Sequence, residues 1–118
     1  MASSPFPFQA EKLYHSLVGR EDIVILDVRN EEDFQRLQVE SPYPFEMMNL
    51  PCFDFMEEED TTVAEVPRDK PVRIVCAKEG SAQYVGEILM AHGFEDVGYL
   101  GGGIRSWGEM LAHGQSQS

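Results

Sequence analysis

The chain alternates between short apolar runs and longer segments in which apolar residues recur at helical spacing. Apolar runs rich in β-branched residues cover positions 23–28 and 72–75, and four-residue runs with fewer β-branched side chains cover 47–50 and 97–100. Continuous runs of this length are typical of strands that are buried on both faces of a parallel sheet. We therefore expect each run to form a strand, and we expect Pro51 to end the strand at 47–50.

The segments between these runs predict helices. Apolar residues at positions 13, 14, 17 and 18 share one helical face, and Gly19 can end that helix. Asn30 offers an N-cap to a short helix with an acidic first turn. Residues 53–60 predict a short acidic helix followed by a linker at 61–71. One helix is expected after each of the last two strands, and His92-Gly93 ends the first of these.

Strands that alternate with helices indicate an α/β fold with a central, mostly parallel sheet of about five short strands and helices on both faces. A length of 118 residues is sufficient for one domain with its own core. We predict an N-terminal arm at residues 1–7, a single domain at 8–113 and a disordered tail at 114–118.

Charge narrows the class of partner. The net charge is −12, which argues against binding to nucleic acid or to an anionic membrane surface, because both need basic patches. Residues 1–70 carry −10 of this charge and residues 71–118 carry −2. The second part of the chain therefore offers a nearly neutral setting for chemistry.

The two cysteines and three histidines do not have the spacing of a structural zinc site. Cys52 and Cys76 are 24 positions apart, and no two histidines are close in sequence. No apolar run approaches the roughly 20 residues that cross a bilayer, and the N-terminus lacks the features of a signal peptide. We expect a cytoplasmic protein with reduced thiols, in which Cys52 is a packed side chain rather than a resolving cysteine.

Cys76 is the candidate for chemistry because it directly follows the strand predicted at 72–75. Ligands of α/β proteins bind at the carboxyl ends of the strands. Backbone N–H groups of a tight loop and of the following helix converge there, which favours a nucleophilic thiolate. The alternative is a small buried hydrophobe at a strand end. The small and polar character of the loop favours the first interpretation; its residues are Ala77, Lys78, Glu79, Gly80 and Ser81.

Two other enzyme classes fail on spacing. A cysteine phosphatase closes its loop with an arginine six positions after the cysteine, where this chain has Ala82. A P-loop needs Gly-x4-Gly-Lys followed by Ser or Thr, and the glycines at 80 and 101–103 do not supply it. Residues 101–103 instead predict a turn that passes close to the sheet.

Five motifs carry a family resemblance. They are Leu26-Asp27-Val28-Arg29, Glu32-Asp33-Phe34, Asn49-Leu50-Pro51, the six residues from Cys76 to Ser81, and Tyr99-Leu100-Gly101-Gly102-Gly103 through Trp107. With these motifs in this order, the chain resembles a single rhodanese (sulfurtransferase) domain over residues 8–113. The resemblance implies that Cys76 takes a sulfane sulfur, holds it as a persulfide and passes it to a thiol or another nucleophile.

The same resemblance assigns supporting roles. The backbone N–H groups of the loop would stabilise the thiolate and the persulfide. Apart from the resemblance, we expect Asp27 and Arg29 to form buried or half-buried polar contacts that fix the first strand and the loop, with a direct catalytic role as the alternative. No metal and no organic cofactor are implied. The partners would be a small-molecule or protein donor of sulfane sulfur and a thiol acceptor.

The loop also departs from the pattern of thiosulfate-using members. Its one cation, Lys78, is balanced by Glu79, and the loop is similar to those of rhodanese modules that accompany metallo-β-lactamase-fold persulfide enzymes. We therefore expect a glutathione or protein persulfide as donor rather than thiosulfate, and a persulfide enzyme as a candidate partner. The alternative function is a low-activity module that binds a partner or regulates a sulfur relay.

Overall fold

Five parallel strands form the centre of the structure, a computed structural model that describes residues 4–116. In chain order they are β1 (Phe6–Phe8), β2 (Val24–Asp27), β3 (Glu46–Asn49), β4 (Val72–Val75) and β5 (Val97–Leu100). Their order across the sheet is β1-β5-β4-β2-β3, and every neighbouring pair is parallel. The predicted α/β fold with a parallel sheet of five short strands is confirmed.

Within residues 4–116, five helices connect the strands and a sixth follows β5. They are α1 (Ala10–Val18), α2 (Glu31–Arg36), α3 (Cys52–Glu57), α4 (Glu59–Ala64), α5 (Glu79–Ala91) and α6 (Gly103–Ser116). The core lies in two clusters on the two faces of the sheet. One contains side chains of α1 and α6, and the other contains side chains of α3, α4 and α5. Ile25 belongs to the first cluster and Leu26 to the second, as expected for neighbouring residues of a strand covered on both faces.

The N-terminal boundary differs from the prediction. Phe6 and Pro7, which the sequence assigns to an arm at 1–7, form β1 with Phe8 and pair with β5. The proline is tolerated because β1 is an edge strand. Gly98 makes room for this strand, since a Cβ there would lie 2.7 Å from the ring of Phe6. Such a short strand has too few residues to show a period.

The C-terminal boundary and the linker also differ. α6 continues to Ser116, so residues 114–116 of the predicted tail belong to the helix, while residues 1–3 and 117–118 lie outside the described part of the chain. Residues 61–64, the start of the predicted linker, belong to α4, in which Thr62 and Val63 are buried. The Thr62 hydroxyl donates a hydrogen bond of 3.1 Å to the Asp54 carbonyl and joins α4 to α3.

Among the helices of residues 4–116, none combines the length and the apolar composition that crossing a membrane requires.

Candidate active site

Cys76 lies at the carboxyl end of β4, between the two strands that flank β4 in the sheet. Cys76 is 5% exposed and belongs to the core cluster that contains side chains of α3, α4 and α5. It is a free cysteine. Its carbonyl oxygen accepts a hydrogen bond of 2.7 Å from the Ile104 N–H, so the first turn of α6 holds the backbone of the cysteine.

The loop after Cys76 is shorter than the sequence predicts. Only Cys76, Ala77 and Lys78 link β4 to α5, while Glu79, Gly80 and Ser81 form the first turn of the helix. The first N–H groups of a helix have no partner within the helix, and the N-cap residue Lys78 supplies no side-chain hydrogen bond to them. These donors and the helix dipole therefore lie immediately after the sulfur-bearing residue, where they favour an anion.

A glycine turn forms one wall of this loop. Gly103 has a φ of +69°, and a Cβ on it would lie 2.7 Å from the Cys76 carbonyl oxygen and would also collide with the Ala77 carbonyl. The Glu79 carboxylate accepts a hydrogen bond from the Gly102 N–H. The sequence predicts that residues 101–103 pass close to the sheet, and the structure shows that they pack on the active loop itself.

Asp27 and Arg29 lie at the carboxyl end of β2, beside β4. Both are buried, and Arg29 Nη2 lies 2.7 Å from Asp27 Oδ2. The Asp27 carboxylate also accepts a 3.0 Å hydrogen bond from the Arg29 backbone N–H, and the guanidinium donates to the Leu37 carbonyl. The pair therefore holds the chain as it leaves β2, and it forms the polar contacts that the sequence predicts as structural support.

Asn49 is a further supporting residue, which the sequence analysis names only as part of a motif. Its side-chain amide donates hydrogen bonds to the carbonyl oxygens of Asp27 and Arg29, at 3.0 and 2.9 Å. It ties the end of β3 to the end of β2, so the carboxyl edge of the sheet is braced on the side away from β5. The sequence shows an asparagine before Pro51 but not its partners, which lie 20 and 22 positions away.

Cys52 is brought to the same region, which its sequence position does not reveal. It is the first residue of α3, is half-buried and packs against the core cluster that contains Cys76. Burial and the negative charge of Cys76 raise the pKa of the Cys52 thiol, while a hydrogen bond with the Ser81 side chain acts in the opposite direction. Cys52 therefore lies in the same part of the core as Cys76, near the start of α5.

Lys78 is exposed, and within residues 4–112 it forms no ion pair. The carboxylate that the sequence sets against it, Glu79, is engaged by the Gly102 N–H. Lys78 is therefore available to an anionic group near the loop.

One group of described side chains has the composition of a metal site. Glu59, Asp60 and His92 place one potential ligand atom each within 4.8 Å of the others. His92 Nε2 lies 2.8 Å from Glu59 Oε2, and both carboxylates are exposed. His92 is at the C-terminal end of α5, about 20 Å along the helix from the loop of Cys76. We interpret the group as a hydrogen-bonded surface cluster that is separate from the candidate active site.

The family model described as Rhodanese-like domain matches residues 10–110. The chain belongs to the rhodanese-like domain family. It is 32% identical over 91 residues to a thiosulfate sulfurtransferase GlpE of Pseudoalteromonas translucida, covering 77% of this chain and 78% of that protein. A GlpE of Coxiella burnetii is 31% identical over 91 residues, which cover 77% of this chain and 77% of that protein.

Solved structures agree with this assignment. A rhodanese-related protein from Thermoplasma volcanium superposes with a TM-score of 0.70 at 23% identity, over 89% of this chain and 92% of that one, which supports the fold. A NAD-dependent persulfide reductase from A. fulgidus is 38% identical with a TM-score of 0.57, over 74% of this chain and 14% of that one. By family, this rhodanese domain is a rhodanese-type sulfurtransferase.

Proposed function

We propose that this rhodanese domain transfers a sulfane sulfur through a persulfide on Cys76. The proposal rests on the position of Cys76, which follows the end of a central strand and lies three residues before the first residue of α5. The Cys76 thiolate attacks the sulfane sulfur of the donor, a new S–S bond forms, and the donor's former partner leaves with the electron pair of the broken bond. An acceptor thiol then attacks the outer sulfur and releases Cys76 as a thiolate.

A thiol-borne persulfide is the proposed donor. The similar GlpE proteins are named for thiosulfate. In this chain, however, the active loop carries a single cation, Lys78, and the whole chain has a net charge of −12. A small dianion is repelled at long range by such a charge. A glutathione or protein persulfide can gain contact energy from the rest of the donor, so its binding does not depend on charge attraction alone.

A second candidate is a relay module that acts mainly by binding a partner protein. It is favoured by two exposed apolar side chains on α3, because Phe53 and Met56 are 64% and 63% exposed. Large apolar side chains at this exposure are typical of contact surfaces when they lie together. In this alternative, the partner would be a persulfide enzyme, and turnover with small donors would be negligible.

Intact mass spectrometry tests the first candidate. The wild type is incubated with glutathione persulfide, and separately with thiosulfate, beside Cys76→Ser. We expect the wild type to gain one sulfur atom and Cys76→Ser to lose the gain at that site, with faster loading from glutathione persulfide. Failure of the wild type to load from either donor would reject the enzyme proposal, and a stable complex with a persulfide enzyme would then support the relay module.

A cytoplasmic location is part of the proposal. Both cysteines are free in the structure, and a reducing compartment keeps such thiols available.

A further inference from the structure

The two cysteines of the chain are connected through a single residue at the carboxyl edge of the sheet. The Val28 N–H donates a hydrogen bond of 2.9 Å to the carbonyl of Val75, the residue before Cys76. The Val28 carbonyl accepts a hydrogen bond of 2.8 Å from the N–H of Cys52. The backbones that carry the two thiols are therefore held on opposite sides of one peptide segment.

The side chains converge as well. Cys76 is a member of the core cluster on the α5 side, and Cys52 packs against that cluster. Ser81 of the first turn of α5 and the Cys76 thiolate both lie near enough to Cys52 to act on the pKa of its thiol. Cys52 is also more exposed than Cys76, which is 5% exposed. A sulfur on Cys52 would thus be closer to solvent than one on Cys76.

We propose that Cys52 is an internal acceptor that takes the outer sulfur from the Cys76 persulfide before it leaves the protein. The inference rests on the proposed persulfide of Cys76. It assigns a role to a residue that the sequence leaves as a packed thiol.

The transfer balances without an oxidant or a reductant. The Cys52 sulfur, after losing its proton, attacks the outer sulfur of the Cys76 persulfide. A bond forms between Cys52 Sγ and that sulfur, the bond between it and Cys76 Sγ breaks, and the electron pair remains on Cys76. Cys76 returns to its thiolate or thiol form, and the proton lost by Cys52 is taken up by the two products or by solvent.

The length of a persulfide favours attack on its outer sulfur. A persulfide places its reactive sulfur about 2 Å beyond Cys76 Sγ. A Cys52–Cys76 disulfide would instead require the two Sγ atoms to bond directly, without that added reach. The thiolate left on Cys76 is stabilised by the start of α5, which makes it a good leaving group.

Peptide mapping after a single loading tests the transfer. Full-length wild type is loaded with glutathione persulfide, freed of donor, alkylated at successive times and digested with trypsin. Arg68 and Arg73 lie between the cysteines, so the two sites fall in separate peptides. We expect the extra sulfur to appear first on Cys76 and then on Cys52, as the Cys76 signal falls. A tethered thiol acts at millimolar effective concentration or above, so Cys52 labelling should exceed that in Cys76→Ser by about tenfold or more.

Three outcomes would overturn the transfer. Equal labelling of Cys52 in Cys76→Ser would show direct loading by the donor. A Cys52–Cys76 disulfide with release of sulfide would show attack on the inner sulfur. Sulfur that stays on Cys76 at all times would show that Cys52 takes no part in the transfer, and this result would leave the proposed function intact.

Absence of sulfur from Cys76 in both the wild type and Cys52→Ser would instead reject the proposed function. The time course in the wild type needs no substitution, so a folding defect in a variant does not affect it.

Discussion

At the scale of single residues, the candidate site depends on one cysteine. Its side chain is buried and its backbone is held by a hydrogen bond. Cys76 is 5% exposed, and its carbonyl is held by the Ile104 N–H. Burial alone fits a structural cysteine. The difference here is its place directly before the uncapped start of α5, which offers N–H donors to an anion.

Substitution of the nucleophile should remove activity without unfolding the domain. We expect Cys76→Ser to lower sulfur transfer by more than about a thousandfold, because a serine hydroxyl is not ionised at neutral pH. The buried hydroxyl should cost about 1–2 kcal/mol of stability. Cyanolysis rates and thermal melting would measure the two effects, with Cys52→Ser as the matched cysteine control for folding. Similar rates in the wild type and Cys76→Ser would contradict the assignment.

The pKa of the Cys52 thiol should depend on the charge of its neighbour Cys76. The negative charge of Cys76 contributes to raising the pKa of Cys52. Removing that charge in Cys76→Ser should therefore lower the pKa of Cys52 and shift its alkylation profile to lower pH. Iodoacetamide rates against pH, followed on the Cys52 peptide, would measure the shift. A profile that moves to higher pH would show that the charge of Cys76 does not reach Cys52.

The buried ion pair should matter for stability more than for chemistry. Arg29 and Asp27 are paired at 2.7 Å with side chains only 4% and 1% exposed. Arg29→Met leaves the Asp27 carboxylate buried without its cation, so we expect a loss of about 3–5 kcal/mol in the free energy of unfolding. Urea denaturation measures it. Arg105→Met, on an exposed pair with Glu109, is the matched control and should change stability by less than about 1 kcal/mol.

At the scale of elements, the site is assembled where three segments meet: the end of β4, the start of α5 and the glycine turn before α6. β4 supplies the cysteine and α5 supplies the N–H donors. The turn supplies the wall, which requires Gly103 at a φ of +69°. Two of these segments are adjacent in sequence, and the third reaches the site only because β5 pairs with β4.

A pair of glycine substitutions tests the glycine wall. Gly103→Ala puts a Cβ against the Cys76 and Ala77 carbonyls at a positive φ, so we expect about 1–3 kcal/mol of destabilisation and a loss of activity from the displaced loop. Gly108→Ala, in the same helix, meets nothing within 4 Å and should be neutral or stabilising by up to about 1 kcal/mol. Thermal melting and cyanolysis of both variants would measure the contrast. Equal behaviour of the two would contradict a role for close packing at Gly103.

At the scale of the whole molecule, the net charge and the fold are the two properties that bear on the proposed donor. The chain carries a net −12, and the active loop contributes the single cation Lys78, which forms no ion pair within residues 4–112. Attraction of an anionic donor therefore has to come from short range, through the N–H groups of α5 and Lys78. Long-range steering acts in the opposite direction.

The dependence of activity on ionic strength should reveal the long-range repulsion between the protein and an anionic donor. We expect kcat/KM for thiosulfate to rise several-fold between low and physiological ionic strength, because counterions screen the repulsion of the dianion. A donor of zero net charge, such as cysteine trisulfide, should show little change and serves as the control. A fall in kcat/KM for thiosulfate with added salt would indicate a locally positive entrance and would contradict the proposed donor preference.

Comparison of sequence and structure shows which features the pattern could reveal. The strands β2, β4 and β5 were predictable because continuous burial on both faces demands continuous apolar runs. β1 and α4 were not predictable from the sequence. A strand of three residues at the edge of the sheet, or a helix with few buried residues in a polar segment, shows no hydrophobic periodicity. Cys76 was predictable from its place after a strand. The early start of α5 was missed, because polar and glycine residues are compatible with both a loop and a first helical turn.

By itself, the sequence determined the fold class and indicated Cys76 as the candidate nucleophile, because both depend on residue type and on order along the chain. Tertiary structure alone decided which distant residues join Cys76: Gly103 as a wall, Asn49 as a brace and Cys52 as a second thiol. The physical reason is that parallel pairing brings the carboxyl ends of strands to one edge of the sheet, whatever their separation in sequence. The local pattern of apolar and polar residues does not show these contacts between residues that are distant in sequence.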